Sequence, residues 1–305
     1  EGRQGREGGL LRWRRAVAGD IPALSAFLQE DEERRVGFSG RLLKEGSLPA
    51  AALRLPSPLR GNVWIAEARA QAAPALEGAV LCHPSRLAFP VFPPGDCAEG
   101  LEGDRELALL VSAFAPASVI GMASDVGRYE AALGLVPQTS VAYRLMTQKD
   151  RTRPRPSGHY PQVQSLRRAE PADLDALMPL QEAYEREEVL TPIHNFNAAA
   201  CRASLARALE RQLIFVAEES GVIVGKAGTN ARGFGVDQIG GVYTLPSRRG
   251  RGIASGLMDL LLAEIRSAGR RPALFVKPAN RPAIQLYEGL GFEDLGDYRA
   301  DYFEL

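Results

Sequence analysis

Cysteine is scarce in this chain of 305 residues. Cys82, Cys97 and Cys201 are too few and too scattered for a disulfide framework. No Cys-x-x-Cys pair occurs, His83 has no partners at ligand spacing, His159 reads as a solvated linker residue and His194 as a loop residue rather than a base. Reduced thiols and no metal are therefore expected. An excess of one charge is also missing, since Lys plus Arg and Asp plus Glu each number 37. No global field draws the protein to nucleic acid or to an anionic membrane, so any anion site must be local. No apolar run approaches the ~20 residues of a membrane span. Glu1–Gly9 is polar and Gly-rich without the apolar stretch of a secretory signal, and reads as a disordered tail. A cytoplasmic location is the expectation. What the chain does have, 45% hydrophobic and 24% charged residues, is the balance of a globular protein long enough for two domains.

A faint internal repeat sets the expected organisation. Arg14-Arg15-Ala16 followed by Asp20 is echoed by Arg167-Arg168-Ala169 followed by Asp173. Val63–Glu67 is echoed by Ile214–Glu218, and apolar segments opening on Gly78 and Gly225 follow each. Leu133-Gly134-Leu135 matches Leu290-Gly291-Phe292, and Tyr143-Arg144 matches Tyr298-Arg299. Echoes kept in order at this long period mean two copies of one domain. Between them, Thr147–Gln164 holds Pro154, Pro156 and Pro161 with a Ser-Gly pair and several charges, the composition of a linker. The predicted division is a tail over 1–9, a first domain over 10–146, a linker over 147–164 and a second domain over 165–305.

In the second copy, Gln162–Arg168 reads as a strand and Pro171 suits the first turn of a helix that Pro179 should kink or divide. Asn197 can cap a helix through Glu210. Leu213–Glu218 and Val222–Gly228 form strands joined by Glu219-Ser220-Gly221, and Asp237–Thr244 is a further strand. From Gly252 the period changes: Ile253, Leu257, Leu260, Leu261 and Ile265 share one helical face that Gly269 ends. Ala273–Val276 is a buried strand, and Asn280–Glu288 a short helix closed by Gly289 and Gly291. Hairpins mixed with a crossover helix give an α/β (α+β) class, with a mixed, mostly antiparallel sheet packed by helices.

The stretch from Thr244 to Ala254, TLPSRRGRGIA, lies at a strand-to-helix junction. Gly250 and Gly252 free the backbone there, so that successive N–H groups can turn toward one point. The following helix adds its unpaired amides and the positive end of its dipole. With Arg248, Arg249 and Arg251 around it, the loop can cradle a pyrophosphate in a protein of zero net charge.

The pattern Arg249-x-x-Gly252-x-Ala254 resembles the acyl-CoA signature of the GNAT superfamily of N-acetyltransferases. Downstream, Asn280-x-x-Ala283-x-x-Leu286-Tyr287-x-x-x-Gly291-Phe292 resembles that family's second signature. The resemblance covers most of Ser165–Leu305, and more loosely the whole chain is similar to tandem-GNAT proteins whose first copy is degenerate. It implies that amides from Arg249 through Gly250, Arg251, Gly252 and Ile253 to Ala254 hold the pyrophosphate of acetyl-CoA. Val242, Tyr243 and Thr244 would pair with the pantetheine arm, and Asn280 would hydrogen-bond it. Tyr287 would protonate the departing thiolate, or else is an aromatic packed under its helix. Asp237 is a candidate general base or a strand-end turn residue, with Gln238 aligning as well. Glu185, Glu187 and Glu188 are either a solvated face or a cation-binding rim for the acceptor.

The function so implied is transfer of an acetyl group from acetyl-CoA to a primary amine of a small-molecule or peptide acceptor, by direct attack in a ternary complex and without a metal. A non-catalytic acyl-CoA sensor and an O- or longer-chain acyltransferase are the alternatives. The first copy lacks the glycine signature. Asp96, Glu99, Glu102 and Asp104 stand where it should be, and Tyr129 stands near the place of Tyr287 without an Asn-x-x-Ala before it. That copy is expected not to bind CoA.

Overall fold

A computed structural model describes residues 11–42, 62–68, 76–92, 101–148 and 165–304. The tail over 1–9, Cys97, Asp96, Glu99, His159 and residues 149–164 lie outside the described residues. The chain divides into two compact units, Glu1–Tyr143 with Gly296–Leu305, and Arg144–Leu295.

The first unit contains β1 (Leu11–Arg15), α1 (Ile21–Gln29), α2 (Glu32–Leu42), β2 (Asn62–Ala68), β3 (Leu76–Cys82), β4 (Leu87–Val91), α3 (Leu101–Val111), β5 (Ser118–Met122), α4 (Ala123–Leu133) and the start of β6 (Thr139–Thr147). Strands β1 to β4 form an antiparallel run, and β5 joins β4 in parallel. The chain's last segment returns here, pairing Tyr298 with Met122 and Tyr302 with Ser118. Trp13, Val80, Phe92, Leu107, Val126 and Tyr129 form its core, with the Trp13 and Phe92 rings edge-on at 5.8 Å.

The second unit takes the end of β6, then β7 (Ser165–Arg168), α5 (Leu174–Tyr184), α6 (Ala198–Arg211), β8 (Ile214–Glu219), β9 (Val222–Arg232), β10 (Val236–Thr244), α7 (Ile253–Ser267), β11 (Arg271–Val276), α8 (Arg281–Gly289) and the first residues of β12 (Glu293–Tyr302). Here β7, β8, β9 and β10 pair antiparallel, whereas β10 and β11, joined through α7, run parallel. Strand alternation makes three layers. Phe215 and Ala217 face α7, whose Ile253, Leu257, Leu261 and Ile265 repeat every four residues. Ile214 and Val216 face the opposite side, against Leu177 and Leu180 of α5 and Leu205 and Leu209 of α6. Asn197 caps α6, its Oδ1 accepting from the Ala200 N–H at 2.9 Å. Pro179 neither divides nor ends α5. Its missing N–H falls on the exposed side, while the fully buried Leu177 and Leu180 pin the helix to the sheet.

The sequence echo recurs as geometry. Arg14 holds Asp20 with two 2.7 Å hydrogen bonds and also binds Glu67; Arg167 holds Asp173 at 2.7 and 2.8 Å and binds Glu218. Each Asp also accepts from the backbone N–H three residues before it, at Val17 and at Glu170, both at 2.7 Å. The turns after α4 and α8 also match: Leu135 N–H donates to Glu130 O at 3.0 Å, and Phe292 N–H to Tyr287 O at 2.9 Å. Matching these turns puts Glu130, rather than Tyr129, at the place of Tyr287.

Candidate active site: a splayed strand and an amide-lined loop

Strand β10 parts from both neighbours near its middle. Its parallel pairing with β11 stops at Ile239 opposite Leu274. On the β9 side the register breaks between Gly240 and Tyr243, so Gly241 and Val242 have a ladder partner on neither side. Gly241 adopts φ +63°, a conformation glycine reaches without strain. The result is a bulged strand with an open edge facing the gap toward β11.

The same strand runs into the loop before α7. Gly250 and Gly252 have φ of +76° and +75°, and both are exposed. The first α7 donor to find an internal acceptor is the Gly256 N–H, bonded to Gly252 O at 3.0 Å. Among the described residues, the N–H groups from Gly250 through Ser255 have no such acceptor. A run of free amides at a helix start is an anion site without any side chain. The three arginines are less free than the sequence implies. Arg249 Nη2 holds both oxygens of Glu187 at 2.8 Å while its Nε donates to Thr244 O at 3.1 Å. Arg248 and Arg251 both pair with Glu219.

The acidic segment after α5 is a π-helical turn over Glu185–Val189, and it meets the expected donor-binding residues. Glu187 accepts from Tyr243 Oη at 2.8 Å as well as from Arg249. This pairing holds its carboxyl below the ordinary range, with the Arg249 hydrogen bond as the main cause. Glu188 accepts from Asn280 Nδ2 at 3.1 Å, and Lys277 Nζ reaches the Glu188 carbonyl at 2.5 Å. Asn280 Oδ1 meanwhile caps α8 through the Ala283 N–H at 3.2 Å. Both carboxylates thus have donors: Glu187 from Tyr243 of β10 and Arg249 of the first signature segment, Glu188 from Asn280 of the second and, at 3.7 Å, from Lys277 just after β11.

Tyr287 lies buried on α8, its ring 6.0 Å from that of Phe292. Burial, with Tyr184 and Glu188 nearby, pushes its phenol well above the ordinary value. Asp237 is placed elsewhere. It sits at the far end of β10 from the loop, fully buried, with Arg270 Nη2 at 2.8 Å and Arg232 Nε at 3.1 Å. A carboxylate buried between two guanidiniums is placed for a structural role rather than for taking an acceptor's proton.

Residues 175–292 match the model of the Acetyltransferase (GNAT) family. They form a GNAT domain. Over 85 residues the chain is 41% identical to a mycothiol acetyltransferase of Thermobispora bispora, a stretch covering 26% of this chain and 29% of that protein. The chain therefore matches less than a third of that relative's length. Among solved structures, a tandem GNAT protein from the clavulanic acid biosynthesis pathway is 16% identical, with a TM-score of 0.54 over 96% of this chain and 98% of that one. A GCN5-related N-acetyltransferase from Sphaerobacter thermophilus is 21% identical, with a TM-score of 0.54 over 95% and 94% of the two chains. At these identities the likeness is one of fold, and it extends over both units.

Two residues of the GNAT domain that sequence reasoning passed over stand beside the β10 bulge. Tyr184 closes α5, and burial pushes its phenol up to about 12 although it accepts from the Gly241 N–H. Lys226 of β9 lies under the Tyr184 ring, with Nζ 4.4 Å from the centroid. Lys226 reads in sequence as one more residue of an apolar strand, and the available hint was a charge inside such a run. In the first unit, residues 93–100, where the counterpart of the GNAT loop would fall, lie outside the described residues. Asp104, one of the acidic residues standing where the glycine signature should be, is neutralised by Arg128 at 3.0 Å.

Proposed function

We propose that the GNAT domain transfers an acetyl group from acetyl-CoA to a primary amine of a small-molecule or peptide acceptor, by direct attack with both bound. The observation that carries this is one strand, β10, combining an open, bulged edge with a downstream run of unbonded amides from Gly250 to Ser255. The open edge suits an arm carrying peptide-like amides, and the amides of the loop suit a diphosphate. Both parts fit acetyl-CoA, which supplies the activated acyl group as a thioester.

The chain's own residues divide the work. Arg249 ties the loop to Thr244 and to Glu187, fixing its shape rather than standing as a free cation. Asn280 orders the start of α8, the helix that carries Tyr287. Tyr287, with its phenol pushed up, stays protonated at neutral pH and is suited to give that proton to a thiolate leaving the acyl carbon. Asp237 has a structural role in this scheme. The first unit, which lacks the glycine signature, does not bind CoA.

Calorimetric titration with CoA and a thiol-release assay with acetyl-CoA over a panel of amines test the reading. We expect one CoA site per chain. Tyr287→Phe should lower kcat by about 10²-fold or more with CoA affinity unchanged. A protein that ignores millimolar CoA would refute the assignment. Full thiol release by Tyr287→Phe would remove the tyrosine from the chemistry.

A further inference from the structure

The GNAT domain holds a cavity of about 120 Å³ on the α5/α6 side of its sheet, lined by Tyr184, Ser204, Lys226, Asn230, Gly240 and Gly241, among others. Lys226 is 6% exposed, and among the described residues its Nζ has neither a hydrogen-bond nor an ion-pair partner. Its neighbours are the Tyr184 ring, the Glu185 carboxylate after α5, which acts on it through charge, and the Cys201 thiol of α6, which burial keeps protonated. Glu185 itself accepts from Gln181 at 3.0 Å. Asn230, four residues further along β9 and exposed, also lines the cavity and carries no side-chain hydrogen bond among the described residues.

The backbone opposite has been cleared for these two side chains. A Cβ at Gly240 would overlap the Asn230 amide, and one at Gly241 would come within 2.9 Å of Lys226 Nζ. Ammonium and amide therefore lie against the pair of glycines where β10 leaves its neighbours. A buried ammonium without hydrogen-bond partners is costly, and an anion in the cavity would relieve it. A bare alkylamine would instead bring a second cation into a low-dielectric pocket. Glu185 already acts on this ammonium through charge, and what a carboxylate adds is the hydrogen-bond acceptor that Nζ lacks.

We propose that this cavity is an acceptor subsite for a carboxylate, held by Lys226 Nζ and the Asn230 side-chain amide. The acceptor class it fits is an amino acid, with its carboxylate here and its nucleophilic amine beside the Gly241–Val242 bulge. The word acceptor rests on the acetyl-transfer reading; the carboxylate site does not.

Burial lowers the Lys226 ammonium to about 8, with Glu185 and Cys201 opposing that shift. A bound carboxylate must raise it, because only the protonated form attracts the anion. The chain has four lysines, Lys44, Lys149, Lys226 and Lys277, so full-length protein labelled at lysine Cε gives a simple NMR spectrum. Lys226→Met identifies the signal, and if it fails to fold, Lys→Arg changes at the other three positions assign it by elimination. Acetate is the probe, and sodium chloride at equal ionic strength the control. At about ten times its dissociation constant, acetate should raise the Lys226 midpoint by about one pH unit. Chloride should not, and Asn230→Leu should weaken acetate binding. A midpoint that acetate leaves in place, or that chloride moves equally, overturns the proposal. CoA binding is measured on the same sample. Acetate bound without CoA sinks the transferase reading alone, and CoA bound without acetate sinks the carboxylate subsite alone.

Discussion

Replacing Gly250 tests whether the amide-lined loop works by its backbone. Gly250 has φ +76°, and a Cβ added there would meet nothing within 4 Å. Alanine therefore adds no clash, only the strain of the left-handed region, about 1–2 kcal/mol. Where that strain appears depends on what holds the loop. Gly250, Arg251 and Gly252 are exposed, and the amides between Gly250 and Ser255 have no internal acceptor. Arg249 anchors the start of the loop, but nothing buried holds Gly250 to Gly252 themselves in one shape in the free protein. This segment can relax without unfolding the domain, and the melting temperature should hardly move. Binding a diphosphate would restore the strained shape, so the strain is subtracted from affinity. Gly250→Ala should raise the CoA dissociation constant by about 5- to 30-fold. Gly250→Asn, whose side chain tolerates positive φ, should lose much less. Calorimetric titration of the three proteins, with thermal melts alongside, measures both quantities. Equal CoA affinity in all three would refute the backbone cradle. A loss matched by an equal loss of stability would show instead that the loop is held by the fold.

Two further substitutions address Asp237 and Glu187. Asp237→Asn removes the counter-charge of Arg270, which is 7% exposed and otherwise bonds the Gly233, Phe234 and Val236 carbonyls. We expect about 3–5 kcal/mol of lost stability by denaturant unfolding, with CoA affinity of the folded protein unchanged. A collapse of thiol release at undiminished stability would return Asp237 to the chemistry. For Glu187, a folded pKa below the ordinary value means that its contribution is full above the unfolded pKa and lost as pH falls through the folded one. Both partners are more than a third exposed, so that contribution is at most about 1 kcal/mol, about 2–4 °C in melting temperature. Glu187→Gln should melt lower than the native protein at pH 7, and the gap should close in acid. A gap that widens in acid contradicts the assigned sign.

Local features were legible in the sequence because neighbours along the chain decide them. Positive φ at Gly250 and Gly252, the Asn197 cap, the α7 apolar face and the Arg-to-Asp echoes each depend on residues a few positions apart. From these alone followed the duplicated frame, the strand-to-helix loop and the family resemblance. The structure decided whatever joins distant residues. Glu187 meets Arg249 across 62 positions and Glu188 meets Asn280 across 92, so both carboxylates have donors that their sequence neighbourhood does not show. Asp237 and Lys226 exchange importance for the same reason. A charged residue in a strand has one identity in sequence, but the sheet sets whether it faces two guanidiniums or an empty pocket. The splay of β10 likewise appears where its pairing with β11 stops at Leu274 and its register with β9 breaks after Gly240, and no property of one strand's sequence alone contains that gap.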